Sequence, residues 1–390
     1  MNPVYLNNAA TSFPKPAQVI EAVNRVIRTV PADHHRSHSR GLSDPVEECR
    51  EACAAFLGVT DSETIFLGSG ATEALNILVH GLLSPGDHVV VTSRAHNSVL
   101  RPLNELAERG VISLTTLETD IAGIVPTESF GDAVRENTRA VFVNHASNVT
   151  GSVADLEEIR RHIPDILLIV DASQAAGMID IDLAGGDVDA LVFTGHKYLF
   201  GLPGTGGMYL RRGLDLEPLV TGGTGVMSDS LLHPRKRPFV HEAGTPNGPG
   251  FAALAAGIRF IREIGLSEIR SRTKHLADRL AFELASIPRV RVIGRPAEPA
   301  ESAGAGAREL PHTPVVSFII EGLPPDETGY ILEESFGIKV RSGLHCAPLI
   351  HRYLGTEDGG TVRASLSYFT TEDEIGRLLE AVRMIAERCT

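Results

Sequence analysis

The chain has 390 residues, 43% hydrophobic and 22% charged; that length implies two or three structural units with a sizeable core, and that composition excludes a disordered or fibrous protein. Its formal net charge of -13 repels phosphate backbones, so nucleic acid is not the expected partner. Four sparse cysteines, Cys49, Cys53, Cys346 and Cys389, do not make a disulfide scaffold; with no secretory leader and no apolar run near the ~20 residues of a membrane span, a cytoplasmic protein without membrane contact is expected.

In chain order, His34, His35 and His38 lack an acidic or cysteine partner at metal-site spacing, so no metal is expected. Cys49 and Cys53 lie one helical turn apart in VEECREACAAFLG, which predicts helix packing. From about residue 63 to 210 the β-branched runs ETIFLGS, DHVVVTS, VISLTTLE, RAVFVNHAS, ILLIVDAS, DALVFTG and GGMYLRR read as strands. Between them ATEALNILVHGLL, NSVLRPLNELAERG and ADLEEIRRHI carry helical periodicity. The alternation predicts an α/β fold with a mostly parallel seven-stranded sheet between helices. Beyond about residue 250, FAALAAGIRFIREIGLSEIRSRTKHLADRLAFELASI predicts a long helical stretch. It leads into a smaller α+β region built from VRVIG, VVSFII, ETGYILEESFG and VRASLSYF, with PAEPAESAGAGARELP as a surface loop. The expected organisation is a segment 1–14 packed on the small domain, a large domain 15–255, and a linking helix with the small domain over 256–390.

Ligands of such sheets bind beyond the carboxyl ends of the strands. Ser69 to Thr72, His96, Asn148, Asp171 with Gln174, and Thr194 to Lys197 each follow a predicted strand, so one pocket can collect them. The set matches what a pyridoxal 5'-phosphate (PLP) site needs: an amine, an anion for the pyridine nitrogen, a phosphate cradle and a group stacked on the ring. Lys197 offers the amine in a glycine-rich turn, although a solvated lysine fits the same turn. Asp171 closes an apolar strand, where it either meets a cation or caps a following helix. Asp171 and Lys197 are 26 positions apart, about one strand-to-strand excursion. GSGATEALN opens a helix whose first N–H groups, at Ala71 and Thr72, suit a phosphate, with Thr194 and His196 as further donors. His96 either stacks on the ring or sits solvated in a loop.

The segments YLNNAATS, GSGATEALN, RAHNSV, SNVTG, VDASQAAG, TGHK, GTPN, RSGLHCAP and VRASLSYF occur in order between residues 5 and 369. Together they resemble the class V aminotransferase family of fold-type I PLP enzymes, and within it the cysteine desulfurases. The resemblance implies Lys197 as the Schiff-base lysine, Asp171 on the pyridine nitrogen, Gln174 near the ring hydroxyl, and His96 on the ring as a proton-transfer aid. It implies Ala71, Thr72, Thr194 and His196 as phosphate ligands, and a homodimer in which Thr245 reaches the neighbouring subunit's phosphate. Asn148 and Arg363, with Arg341 as a further candidate, would grip the substrate carboxylate.

Cys346, in RSGLHCAPLIH, would be the nucleophile, with Gly343 lending loop mobility and His345 and Arg341 favouring the thiolate. An inert buried cysteine is the alternative for that position. Only 17 positions separate Cys346 from Arg363, which resembles desulfurases with a short catalytic-cysteine loop. Thr194 keeps the hydroxyl of a serine common in relatives, Leu344 replaces a histidine found in some, and DHHRSHSRGLS aligns loosely. The implied activity is conversion of L-cysteine to L-alanine, with sulfur left on Cys346 as a persulfide for an acceptor protein. Selenocysteine lyase, C-S lyase, epimerase and aminotransferase chemistry are the rivals on this scaffold, and a catalytically silent sulfur-carrier-binding protein is the rival of another class.

Overall fold

The computed structural model describes residues 3–29, 44–295 and 312–388. Both DHHRSHSRGLS and the PAEPAESAGAGARELP segment fall outside them, as do His34, His35, His38 and Cys389. The chain begins with β1 (Val4–Tyr5), α1 (Ala17–Arg28) and α2 (Pro45–Phe56). It continues through β2 (Ile65–Gly68), α3 (Ala71–Leu82), β3 (His88–Thr92), α4 (Asn97–Glu108) and β4 (Ser113–Leu117). Next come α5 (Glu128–Asp132), β5 (Thr138–Asn144), α6 (Leu156–His162), β6 (Leu167–Asp171), β7 (Ala190–Thr194) and β8 (Gly206–Leu210).

Strands β2 to β8 form one sheet in the order β2-β8-β7-β6-β5-β3-β4, with only β8 antiparallel to its neighbours. This is the predicted seven-stranded sheet. Its strands are apolar on both faces, and alternate residues feed two separate layers. Val141, Val143, Leu168, Val170, Leu191 and Phe193 pack on the face covered by α2 and the helix after β8. Ala140, Phe142, Ile169, Ala190 and Val192 pack on the other, against α3 and α4. Cys49 and Cys53 are buried in the first layer, as helix packing requires.

The remaining elements are α7 (Gly248–Ile264), α8 (Leu266–Ala285), β9 (Val290–Ile293), β10 (Val315–Ile320) and α9 (Pro325–Phe336). The chain closes with β11 (Ile338–Lys339), β12 (Arg341–Gly343), α10 (Ile350–Leu354), β13 (Thr361–Ser365) and α11 (Glu372–Arg388). An antiparallel sheet, β12-β13-β10-β9, lies under α8 and α11 around a separate apolar cluster. β1 pairs in parallel with β11, and Asn7 bridges to Ser365, so the amino-terminal segment seats on this second unit.

Two expectations change. The long helical stretch is broken at Gly265, whose φ of 89° suits glycine and separates α7 from α8. The boundary expected at 255/256 falls inside α7, where Phe251, Leu254, Ile258 and Ile261 all belong to the first unit's core. The free edge of β2 is also managed by side chains: Glu242 Oε1 accepts the Leu67 N–H at 2.7 Å, and Arg50 Nη1 donates to the Ile65 carbonyl at 2.8 Å.

Candidate active site

A cavity of ≈ 270 Å³ opens at the carboxyl ends of the parallel strands. Parallel pairing puts Asn144, at the end of β5, beside Asp171, at the end of β6, and Asp171 is followed in the next strand by Thr194 and then Lys197. Ala71, Thr72, His96, Asn148, Asp171, Gln174, Thr194, His196, Lys197, Arg341 and Arg363 all line it. Eleven of the thirteen sequence candidates therefore converge, from both sheets.

The floor carries the charge. Burial lowers the Lys197 amine to about 8, against the opposing pull of Asp171. Asp171 Oδ1 accepts the Ser173 N–H at 2.9 Å within a turn. No helix follows, so helix capping is not its task. His96 is instead the capping residue: its Nδ1 accepts the Ser98 N–H at 3.1 Å at the start of α4. A neutral ring accepting at Nδ1 carries its proton at Nε2. Burial, reinforced by Lys197, lowers His96 to about 4 and keeps it neutral.

At the other end of the cavity, α3 starts at Gly70 with no side chain capping it, which leaves its first N–H groups for an anion. Gly70 has a φ of 144°, and this backbone turn admits glycine readily. Thr72 Oγ1 lies 2.9 Å from Ser98 Oγ, and Ser98 Oγ lies 2.9 Å from His96 Nδ1, a continuous polar wall. Among the residues lining the cavity, Gln174 Oε1 and His196 Nδ1 are buried polar atoms with no hydrogen-bond partner. Buried polar groups are rarely left so. A depressed lysine amine, a carboxylate, an uncapped helix terminus and two unpartnered polar atoms around one cavity fit a polar, phosphorylated, carbonyl-bearing ligand such as PLP.

The residues expected on the substrate side are partly committed to other bonds. Asn148 Nδ2 donates to the His345 carbonyl at 2.6 Å, and Arg363 Nη1 donates to the Asn148 carbonyl at 2.8 Å. Arg363 Nε, deeply buried, has no partner; burial lowers this guanidinium to about 10. Arg341 Nη2 donates to Cys346 Sγ at 3.4 Å. Cys346 itself is half-buried at the rim, outside the cavity lining.

Gly343, expected to lend loop mobility, ends β12, paired with Thr361 of β13. The turn after it is tightly held, with His345 and Cys346 at φ 51° and 60° and the Cys346 carbonyl accepting the Asn97 N–H at 2.7 Å. His345 does not assist the thiol. Burial and the nearby Arg363 push it well below the ordinary histidine value, and its Nε2 is engaged with Thr361 Oγ1 at 2.9 Å. Thr245 does not line this cavity. It lines an adjoining one with Gly244 and Asn247, and the two cavities share Ser69 and Glu73.

Sequence reasoning missed Ala9, Ala10, Asn144 and Ser98 as cavity residues. The first two belong to the YLNNAATS segment and Ser98 to RAHNSV, so their signal was present without an assigned role.

The sequence profile described as aminotransferase class-V matches residues 4–378. The chain belongs to the class-V aminotransferase family. Members of this family are PLP-dependent, and the fold is that of the fold-type I enzymes. A probable cysteine desulfurase of Methanothermobacter thermautotrophicus is 35% identical over 98% of this chain and 94% of its own length. The solved apo cysteine desulfurase of Thermococcus onnurineus is 30% identical, with a TM-score of 0.86 over 99% of this chain and 95% of the other. An Escherichia coli cysteine desulfurase, solved as an S-sulfonic acid, gives the same TM-score of 0.86 at 26% identity, over 99% of this chain and 95% of that one. Among the described residues, no helix is long and apolar enough to cross a membrane, and no acidic, cysteine and histidine cluster could hold a metal.

Proposed function

We infer that this class-V enzyme is a PLP-dependent cysteine desulfurase that converts L-cysteine to L-alanine and leaves the sulfur on Cys346 as a persulfide. The observation that carries the inference is Cys346 Sγ held by Arg341, a residue that also lines the cavity containing Lys197. The similar proteins' names support desulfuration over selenocysteine cleavage, epimerisation or transamination.

Lys197 would hold PLP covalently, Asp171 its pyridine nitrogen, Gln174 its ring hydroxyl, and Ala71, Thr72, Thr194 and His196 its phosphate. When bound, PLP supplies an electrophilic carbon for the substrate amine and a ring that accepts electrons from Cα. Lys197, with an amine lowered to about 8, is suited to take the Cα proton and return one near neutral pH. His96 would stack on the ring and could donate from Nε2. Arg363, Asn148 and Arg341 would grip the substrate carboxylate. The Cys346 sulfur then attacks the substrate sulfur; the C–S bond breaks, its electron pair is protonated at Cβ, and alanine leaves while Cys346 retains one added sulfur.

Thr245, on the adjoining cavity, would reach the phosphate of a partner subunit in a homodimer. A sulfur-acceptor protein and a cytoplasmic setting complete the proposal. We divide the chain at Gly265, with residues 3–14 seated on the second unit. Mass spectrometry of Cys346 after L-cysteine treatment should show a gain of one sulfur. Cys346→Ser should keep the visible absorbance of bound PLP and gain nothing; full sulfur release by that variant would overturn the proposal.

A further inference from the structure

The amino-terminal segment makes contacts that the function above does not use. The carbonyl oxygen of His196, half of the peptide group joining it to Lys197, accepts four hydrogen bonds. Ser12 N–H donates at 2.9 Å, Thr11 Oγ1 at 3.1 Å, Ser12 Oγ at 3.2 Å and Lys15 Nζ at 3.1 Å. A carbonyl oxygen has two lone pairs, so these donors converge on it beyond ordinary satisfaction, and the ammonium bond is charge-assisted. Lys15 Nζ also donates to Ser12 Oγ at 2.8 Å. Burial lowers this amine to about 8, and no carboxylate among the described residues offsets it. The protein has thus desolvated a lysine in order to aim it at one backbone oxygen.

The segment is anchored on both sides of that oxygen. Upstream, β1 is paired with β11, and Asn7 Oδ1 accepts Arg363 Nη2 at 3.3 Å. The Ala9 carbonyl accepts Gln174 Nε2 at 3.0 Å from the cavity wall. Downstream, Val19 and Ala22 of α1 pack against Ala252, Ala253 and Ala256 of α7. The Lys197 turn is glycine-rich and carries backbone bonds of its own, such as Gly201 N–H to the Gly195 carbonyl at 2.8 Å.

We propose that Lys15, with Thr11 and Ser12, is a positioning residue for Lys197: the clamp on the His196 carbonyl fixes the peptide plane from which the Lys197 side chain enters the cavity. The proposal rests on Lys197 being the PLP lysine. A flexible four-carbon side chain holds its amine in place only if its backbone is held first.

The test compares Lys15→Met, Lys15→Arg and the parent holoenzyme, with PLP as the probe. Lys15→Met should weaken PLP affinity by about tenfold, the scale of one lost charge-assisted hydrogen bond. It should also reduce the visible circular dichroism per bound PLP, which reports how the ring is held, while the melting temperature of the apo form stays unchanged. Lys15→Arg, which retains a cation and donors, should restore both signals. Parent-like affinity and circular dichroism in Lys15→Met would overturn the clamp, as would failure of Lys15→Arg to restore them. Should Lys15→Met misfold, Thr11→Val removes a neutral donor, and the same two signals decide. Lys197→Ala separates the premises: if it keeps the parent's visible band, the Lys197 assignment itself fails, whereas a band lost there with parent-like affinity and circular dichroism in Lys15→Met sinks only the clamp.

Discussion

At the residue scale, Cys346 owes its position to neighbours that hold its backbone and its sulfur separately. Non-glycine residues at positive φ cost on the order of 1–2 kcal/mol each. His345 and Cys346 both stand there, at 51° and 60°. Their carbonyls are held by Asn148 Nδ2 and the Asn97 N–H, which offsets that cost. Arg341 donates to the sulfur, whereas His345 is buried, neutral and bonded to Thr361. Arg341→Met should therefore leave the absorbance of bound PLP intact and slow persulfide formation by at least about tenfold, as read by quenched mass spectrometry. The gripping role proposed for Asn148 has a consequence as well. Its Nδ2 carries two hydrogens, one of them given to the His345 carbonyl, so a substrate carboxylate is left the other.

At the scale of elements, the exposed edge of β2 is closed by an ion pair instead of a strand. Arg50 on α2 meets Glu242 through a fork of two bonds, 2.6 and 2.9 Å, while the same groups satisfy Ile65 and Leu67. The two partners respond differently. Burial raises the Glu242 carboxyl despite Arg50, whereas Glu242 and Glu47 together raise the Arg50 guanidinium despite its burial. The short paired bonds favour both being charged. Glu242→Ala should destabilise the fold by about 3 kcal/mol, since it leaves the buried Arg50 only Glu47 as an anionic partner and an edge N–H without one. Urea unfolding measures this, and Arg50→Met combined with Glu242→Leu should cost less than the single change. Strand identity was legible here, because apolar β-branched runs signal it locally. The edge pair was not, because Arg50 and Glu242 stand 192 positions apart.

For the whole molecule, buried histidines set a limit on acid stability. His96, His145 and His196 are each lowered by burial from 6.5 to about 4. A group whose folded value is depressed binds its proton more readily when unfolded, so its stabilising effect is complete above about 6.5 and is lost as pH falls towards 4. The melting temperature of the apo form should fall progressively as pH drops from 6.5 to 4. His145→Asn, which removes a buried ring with an unpartnered Nδ1, should make that fall shallower.

The sequence alone determined the seven strands, their mostly parallel order of use, and the cluster at their carboxyl ends. Those features follow from period-two hydrophobicity and turn residues, which act over a few positions. Tertiary structure alone decided the rest. It placed Thr11, Ser12 and Lys15 on the His196 carbonyl, turned Gly343 into a strand end, split the long helix at Gly265, and set Thr245 in a separate cavity. Each depends on burial or on bonds between residues far apart in the chain. Side-chain pattern carries no record of such contacts until the backbone has brought the partners together.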